Sequence, residues 1–470
     1  MVVPNFFSLG NTQNVNVGES EGAPRDVQSL YGRGEVGWQD AVFLTLTGRN
    51  DWSSTLPPDN WSFFYPSVGL SAVLTDLVSF PDAINYLQVR GSWAEVGNEA
   101  SPFQLTRSAS FSAGGRTGFL ELSGTLPADD LEPENTESWE FGAQIRTLQN
   151  RLELNATVYH TETRNQLFTL QLPVASGASQ SFTNGGNIRN RGIELTLRGT
   201  PVRAEGVEWN TTVNFSHNQN LVKKISEERP RVAIGGSFLG TNFIEEGEPF
   251  QQYFSRGFAR DDQGRVIVEE NGIPRLTPGE TVKIADFNAD WKGSFRSSFS
   301  YENFSLSFLI DHRQGGRVGS FTNAVLAGDG QLVRTLDGRG GGLVFGETVF
   351  PEEEAVAADG GEVPSTTAQN FWRNMGGRNT PVGEAFSEEA TATKLREVTL
   401  GYRFDQSQLG SLPVTAVNVS LVGRNLFWIY RASSRVDPDI LTNTGKGAEG
   451  FESFQPPTTR SFGANLNIQF

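Results

Sequence analysis

The segment Ser461-Phe462-Gly463-Ala464-Asn465-Leu466-Asn467-Ile468-Gln469-Phe470 alternates without a break. Phe462, Ala464, Leu466, Ile468 and Phe470 fall on one side, and Ser461, Gly463, Asn465, Asn467 and Gln469 on the other. Successive side chains of a strand point to opposite faces, so a period of two describes a strand with one apolar and one polar face. The same period recurs upstream. Val207, Trp209, Val213 and Phe215 alternate with Glu208, Asn210, Thr212 and Asn214. Phe304, Leu306, Phe308 and Ile310 alternate with Ser305, Ser307 and Asp311, and Leu152, Leu154, Ala156 and Val158 with Glu153, Asn155 and Thr157. Read along the whole chain, the pattern predicts roughly thirteen long strands, each near the ~9–11 residues that cross a bilayer when tilted. They begin near Gln28, Ala41, Phe63, Tyr86, Thr136, Arg151, Asn187, Gly206, Trp291, Asn303, Thr393, Ala416 and Thr459.

The connections differ in length. Trp38-Gln39-Asp40, Leu148-Gln149-Asn150, Pro201 to Glu205 and Tyr301-Glu302 read as tight turns. Between them lie long stretches rich in Gly, Asn, Asp and Pro, near 97–135, 218–290, 315–392 and 428–457, with shorter ones at 50–62 and 164–186. Short turns at one end and long loops at the other is the pattern of an outer-membrane barrel, whose long loops face outward. The expectation is an all-β chain: a partial transmembrane antiparallel β-barrel with no plug domain. A soluble β-sandwich also alternates, but with strands nearer ~5–6 residues.

Composition bounds the function. The 470 residues include 34 Phe and 52 Gly, no Cys, and a formal net charge of -16. Mean hydropathy is -0.35. No stretch approaches the ~20 apolar residues of a membrane helix, which leaves strands as the only means of crossing a membrane. The acidic balance argues against a nucleic-acid partner, whose phosphates require a basic surface. Without Cys, disulfides and thiolate metal sites are excluded. His160, His217 and His312 are isolated and lack metal-ligand spacing. Glu352-Glu353-Glu354 and Asp261-Asp262 read as solvated loop charges, and Gly338-Arg339-Gly340-Gly341-Gly342 lacks the Lys of a phosphate loop. No enzyme, cofactor or metal is expected.

Binding is better supported than catalysis. Ligand sites of this kind pair aromatic platforms with polar groups. The candidates are Trp52, Trp61, Phe371, Trp372, Trp428 and Tyr430, with Asp437 and Asp439 nearby. Trp428 and Tyr430 fit an interfacial aromatic girdle as well as a substrate contact. Trp372, inside a long polar loop, reads as a lid or partner contact.

Several motifs, in order, resemble those of the SusC/RagA-like TonB-dependent transporters. They are Arg49-Asn50-Asp51-Trp52-Ser53-Ser54 with Tyr65-Pro66-Ser67, Leu87-Gln88-Val89-Arg90-Gly91-Ser92, and Leu131-Glu132-Pro133-Glu134-Asn135-Thr136. Asn184-Gly185-Gly186 through Asn190-Arg191-Gly192-Ile193-Glu194-Leu195 follows, then Leu395-Arg396-Glu397-Val398, Gly423-Arg424-Asn425-Leu426-Phe427 and Asp437-Pro438-Asp439. Asn50-Asp51-Trp52 departs from the family's usual D-G, Ala94 stands where Gly is common, and Phe287-Asn288-Ala289-Asp290-Trp291 lacks a usual Pro. The resemblance implies a barrel of about 22 strands filled by an N-terminal plug. It also implies import of an oligosaccharide or peptide substrate, a SusD-like lipoprotein partner, a TonB complex acting through an N-terminal part, and contact with outer-membrane lipid. Phe462, Leu466, Ile468 and Phe470 resemble a C-terminal assembly signal. That signal puts the last strand's end in the periplasm; strict alternation then places residues 1–25 outside the cell, so the chain is expected to be a fragment. The alternatives are a soluble β-rich carbohydrate-binding protein and a porin or receptor barrel without active uptake.

Overall fold

A computed structural model describes residues 25–112, 118–128, 130–225, 230–250, 252–286, 288–410, 412–439 and 450–470. The segment 1–25 expected outside the cell falls almost wholly beyond these, as does Phe287 of the motif before Trp291. Thirteen strands form one antiparallel sheet, each paired with its neighbours in chain order. They are β1 (Val27–Trp38), β2 (Val42–Ser53), β3 (Ser62–Val73), β4 (Ile84–Asn98), β5 (Glu134–Thr147), β6 (Leu152–Arg164) and β7 (Asn187–Ala204). The rest are β8 (Val207–Lys224), β9 (Trp291–Tyr301), β10 (Phe304–Gln314), β11 (Ala392–Asp405), β12 (Ala416–Arg431) and β13 (Ser461–Gln469). Every expected strand start lies within two residues of an observed one. Among the described residues the far edges of β1 and β13 have no sheet neighbour.

The tight turns have a local cause. Gln39 and Asp40 both adopt positive φ, 53° and 52°, and Ala41 N–H donates to the Trp38 carbonyl at 3.1 Å. This is a type I′ turn, whose twist matches that of the flanking strands. Gln149 and Asn150 repeat it, at 57° and 61°. One expected turn moves. Strands β7 and β8 run on to Ala204 and Val207, with Glu205-Gly206 between them, and Pro201 lies in a bulge between Gly199 and Val202. A proline, which has no N–H to donate, is tolerated at a bulge and need not end the strand. Pro66 is placed by the same rule: the β3–β4 ladder begins one residue later, at Ser67.

The two faces differ in what they touch. Register aligns Trp209, Phe299, Leu306, Leu400, Leu421 and Ala464 across β8–β13. Leu400 is 51% exposed and Leu421 59%. Toward the long-loop end the same face carries Phe215, His312 and Tyr430, with Trp291 4.5 Å from His312 and 5.7 Å from Phe215. Toward the short-turn end it carries Tyr301, Phe304 and Tyr402, the last two rings 4.6 Å apart. Eight residues separate Gly293 from Tyr301 on β9, about 26 Å at ~3.3 Å each. With the strand tilted by about 35–45°, this is roughly 20 Å of height, near the ~25 Å apolar band between two aromatic girdles. An apolar surface of this extent on a soluble protein would drive aggregation. The soluble β-rich alternative required these residues in a core, and their exposure overturns it.

The core lies elsewhere, in the long loops. The described residues of 230–290 and 315–391 fold into a layer with a four-stranded sheet (Arg231–Ser237, Gly240–Glu245, Gln252–Ser255, Val282–Asp286) and two helices, α1 (Phe321–Gly328) and α2 (Ala368–Met375). Ser320 and Thr367 cap these helices, their hydroxyls accepting from Asn323 N–H and Asn370 N–H. Phe345, Phe371, Trp372, Met375 and Phe386 are almost fully buried there. The helices approach so closely that a Cβ on Gly376 would stand 2.4 Å from the Ala324 carbonyl.

Leu421→Arg, on the apolar face, is expected to weaken folding into lipid vesicles by about 2–4 kcal/mol. Ser420→Arg, one residue along on the polar face, should leave the folding equilibrium in the same titration nearly unchanged.

Candidate functional site

The polar face is built by the same register. Thr196, Asn214, Ser294, Asp311, Lys394 and Trp428 form one row across β7–β12. The next row toward the loops holds Glu194, Ser216, Lys292, Arg313, Ala392 and Arg431. All of these except Arg431 line a cavity of about 530 Å³, together with Pro438 and Asp439 from the loop after β12. A second cavity of about 360 Å³ shares Lys394 and Trp428 with the first. Both volumes are in the range of ordinary ligand sites.

Lys394 is the pivot. Its residue surface is only 2% exposed, and an ammonium removed from water costs several kcal/mol unless it is paired. It has three partners. Nζ donates to Asp439 Oδ2 at 2.6 Å and to Thr458 Oγ1 at 3.0 Å, and it lies 4.3 Å from the Trp428 ring centroid. Arg396 grips the same carboxylate with two nitrogens, Nη2 donating to Asp439 Oδ1 at 2.7 Å and Nη1 to Oδ2. Arg396 Nε donates to Asp311 Oδ2 at 2.8 Å, which ties β10, β11 and the loop together. Burial alone would raise the Asp439 pKa; the hydrogen bonds from Arg396 and Lys394 outweigh it and hold the carboxyl below its ordinary range.

Asp437 shapes the loop that delivers Asp439. Its Oδ1 accepts from Asp439 N–H at 3.0 Å, and its Oδ2 accepts from Thr458 N–H at 3.1 Å and from Thr458 Oγ1 at 2.6 Å. The backbone between them is restrained by Pro438, whose ring fixes φ.

Of the residues singled out in the sequence, Trp428, Asp437 and Asp439 meet here. Tyr430 pairs with Thr393, on the face opposite Lys394, and joins the girdle. Trp372 and Phe371 are 2% and 0% exposed in the loop core, so Trp372 is no lid or partner contact and Phe371 offers no open ring face. An amphipathic helix turned them inward: α2 buries Ala368, Phe371, Trp372 and Met375 together. Trp52 is half-buried on β2, and Trp61 is exposed with its carbonyl accepting from Ser53 N–H. Neither lines the two cavities. Phe462, Leu466, Ile468 and Phe470 lie exposed at β13 and just beyond it. Sequence reasoning missed Lys394, Arg396, Asp311 and Arg313. The available signal was charge inside a strand, since Lys394 and Arg396 flank Leu395 with a period of two.

The TonB dependent receptor-like, beta-barrel family model matches residues 4–260. The chain belongs to the TonB-dependent receptor β-barrel family. It is therefore part of an outer-membrane β-barrel of a transporter family, not an enzyme. It is similar to TonB-dependent receptor P26 of Formosa agariphila, 23% identical over 99% of this chain and 48% of that relative. It is also similar to TonB-dependent receptor SusC of Bacteroides thetaiotaomicron, 21% identical over 60% of this chain and 30% of that one. The fold is shared with the RagAB peptide importer in its closed-closed state, with a TM-score of 0.72 and 19% identity over 94% of this chain and 48% of that chain. The chain spans about half the length of the first of these relatives and of the RagAB chain.

Asp439→Asn is expected to leave Lys394 buried without a counter-charge, at a cost of roughly 3–5 kcal/mol. The readout is faster limited proteolysis within 432–460, partly reversed in Asp439→Asn/Lys394→Gln. Since the folded carboxyl titrates below its unfolded value, the contact should be complete above about pH 4. It should be lost as pH falls through the lower folded value, seen as proteolytic opening of the same loop.

Proposed function

We propose that the chain forms about half of the barrel wall of a TonB-dependent importer that takes up oligosaccharides or peptides together with a SusD-like surface lipoprotein. The observation that carries this reading is the two-faced sheet. Its outer face suits lipid, while its polar face turns a charged, aromatic cavity toward a layer of packed loops. The long loops at 97–135, 218–290, 315–392 and 428–457 are then extracellular, where a lipoprotein can meet them. Strands outside this chain would complete the wall to about 22, since unpaired backbone groups on the outer edges of β1 and β13 are too costly to leave in lipid. A plug and TonB-contacting segment, also outside this chain, would couple uptake to the proton-motive force. Phe462, Leu466, Ile468 and Phe470 would serve as the signal for barrel assembly.

The test is uptake by cells expressing the full-length receptor. Accumulation of labelled oligosaccharide or peptide is expected to stop when the TonB gene is deleted, and to fall at least about tenfold with Trp428→Ala, comparable to losing one good contact. Uptake at the same rate without TonB would overturn the importer in favour of a porin.

A further inference from the structure

The second cavity differs in charge from the rest of the chain. Four cations line it, Lys394, Arg431, Arg435 and Arg460, against two carboxylates, Asp437 and Glu452. The whole chain carries a net charge of -16. The carboxylates are already engaged. Asp437 accepts from Thr458 and from the Asp439 backbone, while Glu452 Oε2 accepts from Ser320 Oγ at 2.5 Å and its Oε1 from Thr322 Oγ1 at 2.5 Å. Two of the cations are engaged as well: Lys394 with Asp439, and Arg435 Nη1 with Glu388 Oε1 at 3.2 Å. The other two are not. Among the described residues, Arg431 and Arg460 have no carboxylate within ion-pair distance and no hydrogen-bond acceptor for their guanidinium groups. Arg431 also stands 5.8 Å from the Trp428 ring centroid.

A guanidinium is always charged, and its planar fork binds a carboxylate or sulfate with two parallel hydrogen bonds. Two such forks left open beside an indole describe a site for a ligand with anionic groups and a ring face. The remaining lining is rich in groups that both donate and accept, as the hydroxyls of a sugar ring require. Thr322, Asn323, Asn425, Ser434 and Thr458 offer hydrogen bonds, and the adjoining cavity adds Thr196, Asn214, Ser216 and Ser294.

We propose that the paired cavities take an acidic oligosaccharide, with its carboxylate or sulfate groups held by Arg431 and Arg460 and a sugar ring against Trp428. This rests on the importer reading and names its substrate class. Arg431 is set on the polar face by its pairing with Ala392, so it is presented by the rigid wall. Arg460 comes from the end of the same loop that carries Asp439.

The experiment is isothermal titration of the full-length receptor in detergent at low salt. The probes are tetragalacturonate, a sulfated carrageenan tetrasaccharide, neutral maltotetraose and tetraglutamate. At least one acidic saccharide is expected to bind about tenfold or more tightly than maltotetraose, the effect of one good charge-assisted contact. The two acidic probes tell carboxylate from sulfate. The preference should shrink as salt rises. Arg431→Gln/Arg460→Gln should abolish it while circular dichroism stays unchanged, and Arg431→Lys/Arg460→Lys should retain part of it. Equal affinity for maltotetraose, or a preference that survives the double Gln variant, overturns the proposal. Tighter binding of tetraglutamate than of either acidic saccharide also overturns it, in favour of an acidic peptide. Because TonB takes no part in this titration, a failed preference leaves the importer reading standing, and TonB-independent uptake leaves the site standing.

Discussion

Inside a bilayer, a backbone N–H or C=O has no water to bond, and each one left unpaired costs several kcal/mol. The thirteen-stranded ladder answers that constraint. Each neighbouring pair of strands is antiparallel and consecutive, so hydrogen bonds run from strand to strand across the described wall, interrupted only where ladders bulge or end short. Once the ladder is set, a period of two follows, because each side chain must face either lipid or the interior. Leu400 and Leu421 go one way, and Lys394 and Trp428 go the other. The girdles of Trp291 and Tyr430 at one end and of Tyr301 and Tyr402 at the other mark where lipid gives way to water.

The wall has no hydrophobic core of its own, and this moves the packing problem into the loops. A soluble domain hides its apolar residues by packing layers together. Here most of the strands' large apolar residues face outward, Val222 and Ile188 near the loop ends of β8 and β7 being exceptions, and the large fully buried side chains Phe345, Phe371, Trp372 and Phe386 belong to the loop layer. The loop after β12, a later segment of the chain than that layer, meets the wall through charge. Asp439, on the loop, is held by Arg396 and Lys394 on β11, and Arg396 is held in turn by Asp311 on β10. A buried ionic contact adds little stability over an apolar one, but it is exacting about geometry. It places the loop end against Trp428 at a defined height on the wall, and the two cavities form on either side of that contact.

The same economy explains why cations gather at the site of an acidic chain. Carboxylates spread over the loops are solvated or paired with nearby arginines, as Asp261 is with Arg265 at 2.7 Å and Glu353 with Arg260 at 2.7 Å. At the cavity, the available carboxylates are consumed in shaping the loop, Asp437 by Thr458 and Glu452 by Ser320 and Thr322. Among the described residues Arg431 and Arg460 are what remains, and a guanidinium with no carboxylate partner among them at a cavity wall suits recognition more than stability.

How much of this was legible in the sequence follows from the range of each interaction. Alternation is local, so Phe462 to Phe470 and Phe304 to Ile310 announced strands and faces without any tertiary information, and the strand starts were found to within two residues. Turn chemistry is also local, and Gln39-Asp40 and Gln149-Asn150 were readable, whereas Pro201 misled because a bulge depends on the neighbouring strand. The aromatic loop residues could not be sorted. Trp372 and Trp428 look alike in sequence, yet one is core and the other lines a cavity, because burial is decided by which distant segments pack together. The polar site is decided the same way. Strict alternation from Val398 and Leu400 would put Lys394 on the apolar face; the bulge at Arg396 and the register across six strands set it beside Asp311 and Trp428, and only the folding back of 432–439 brings Asp439 to it.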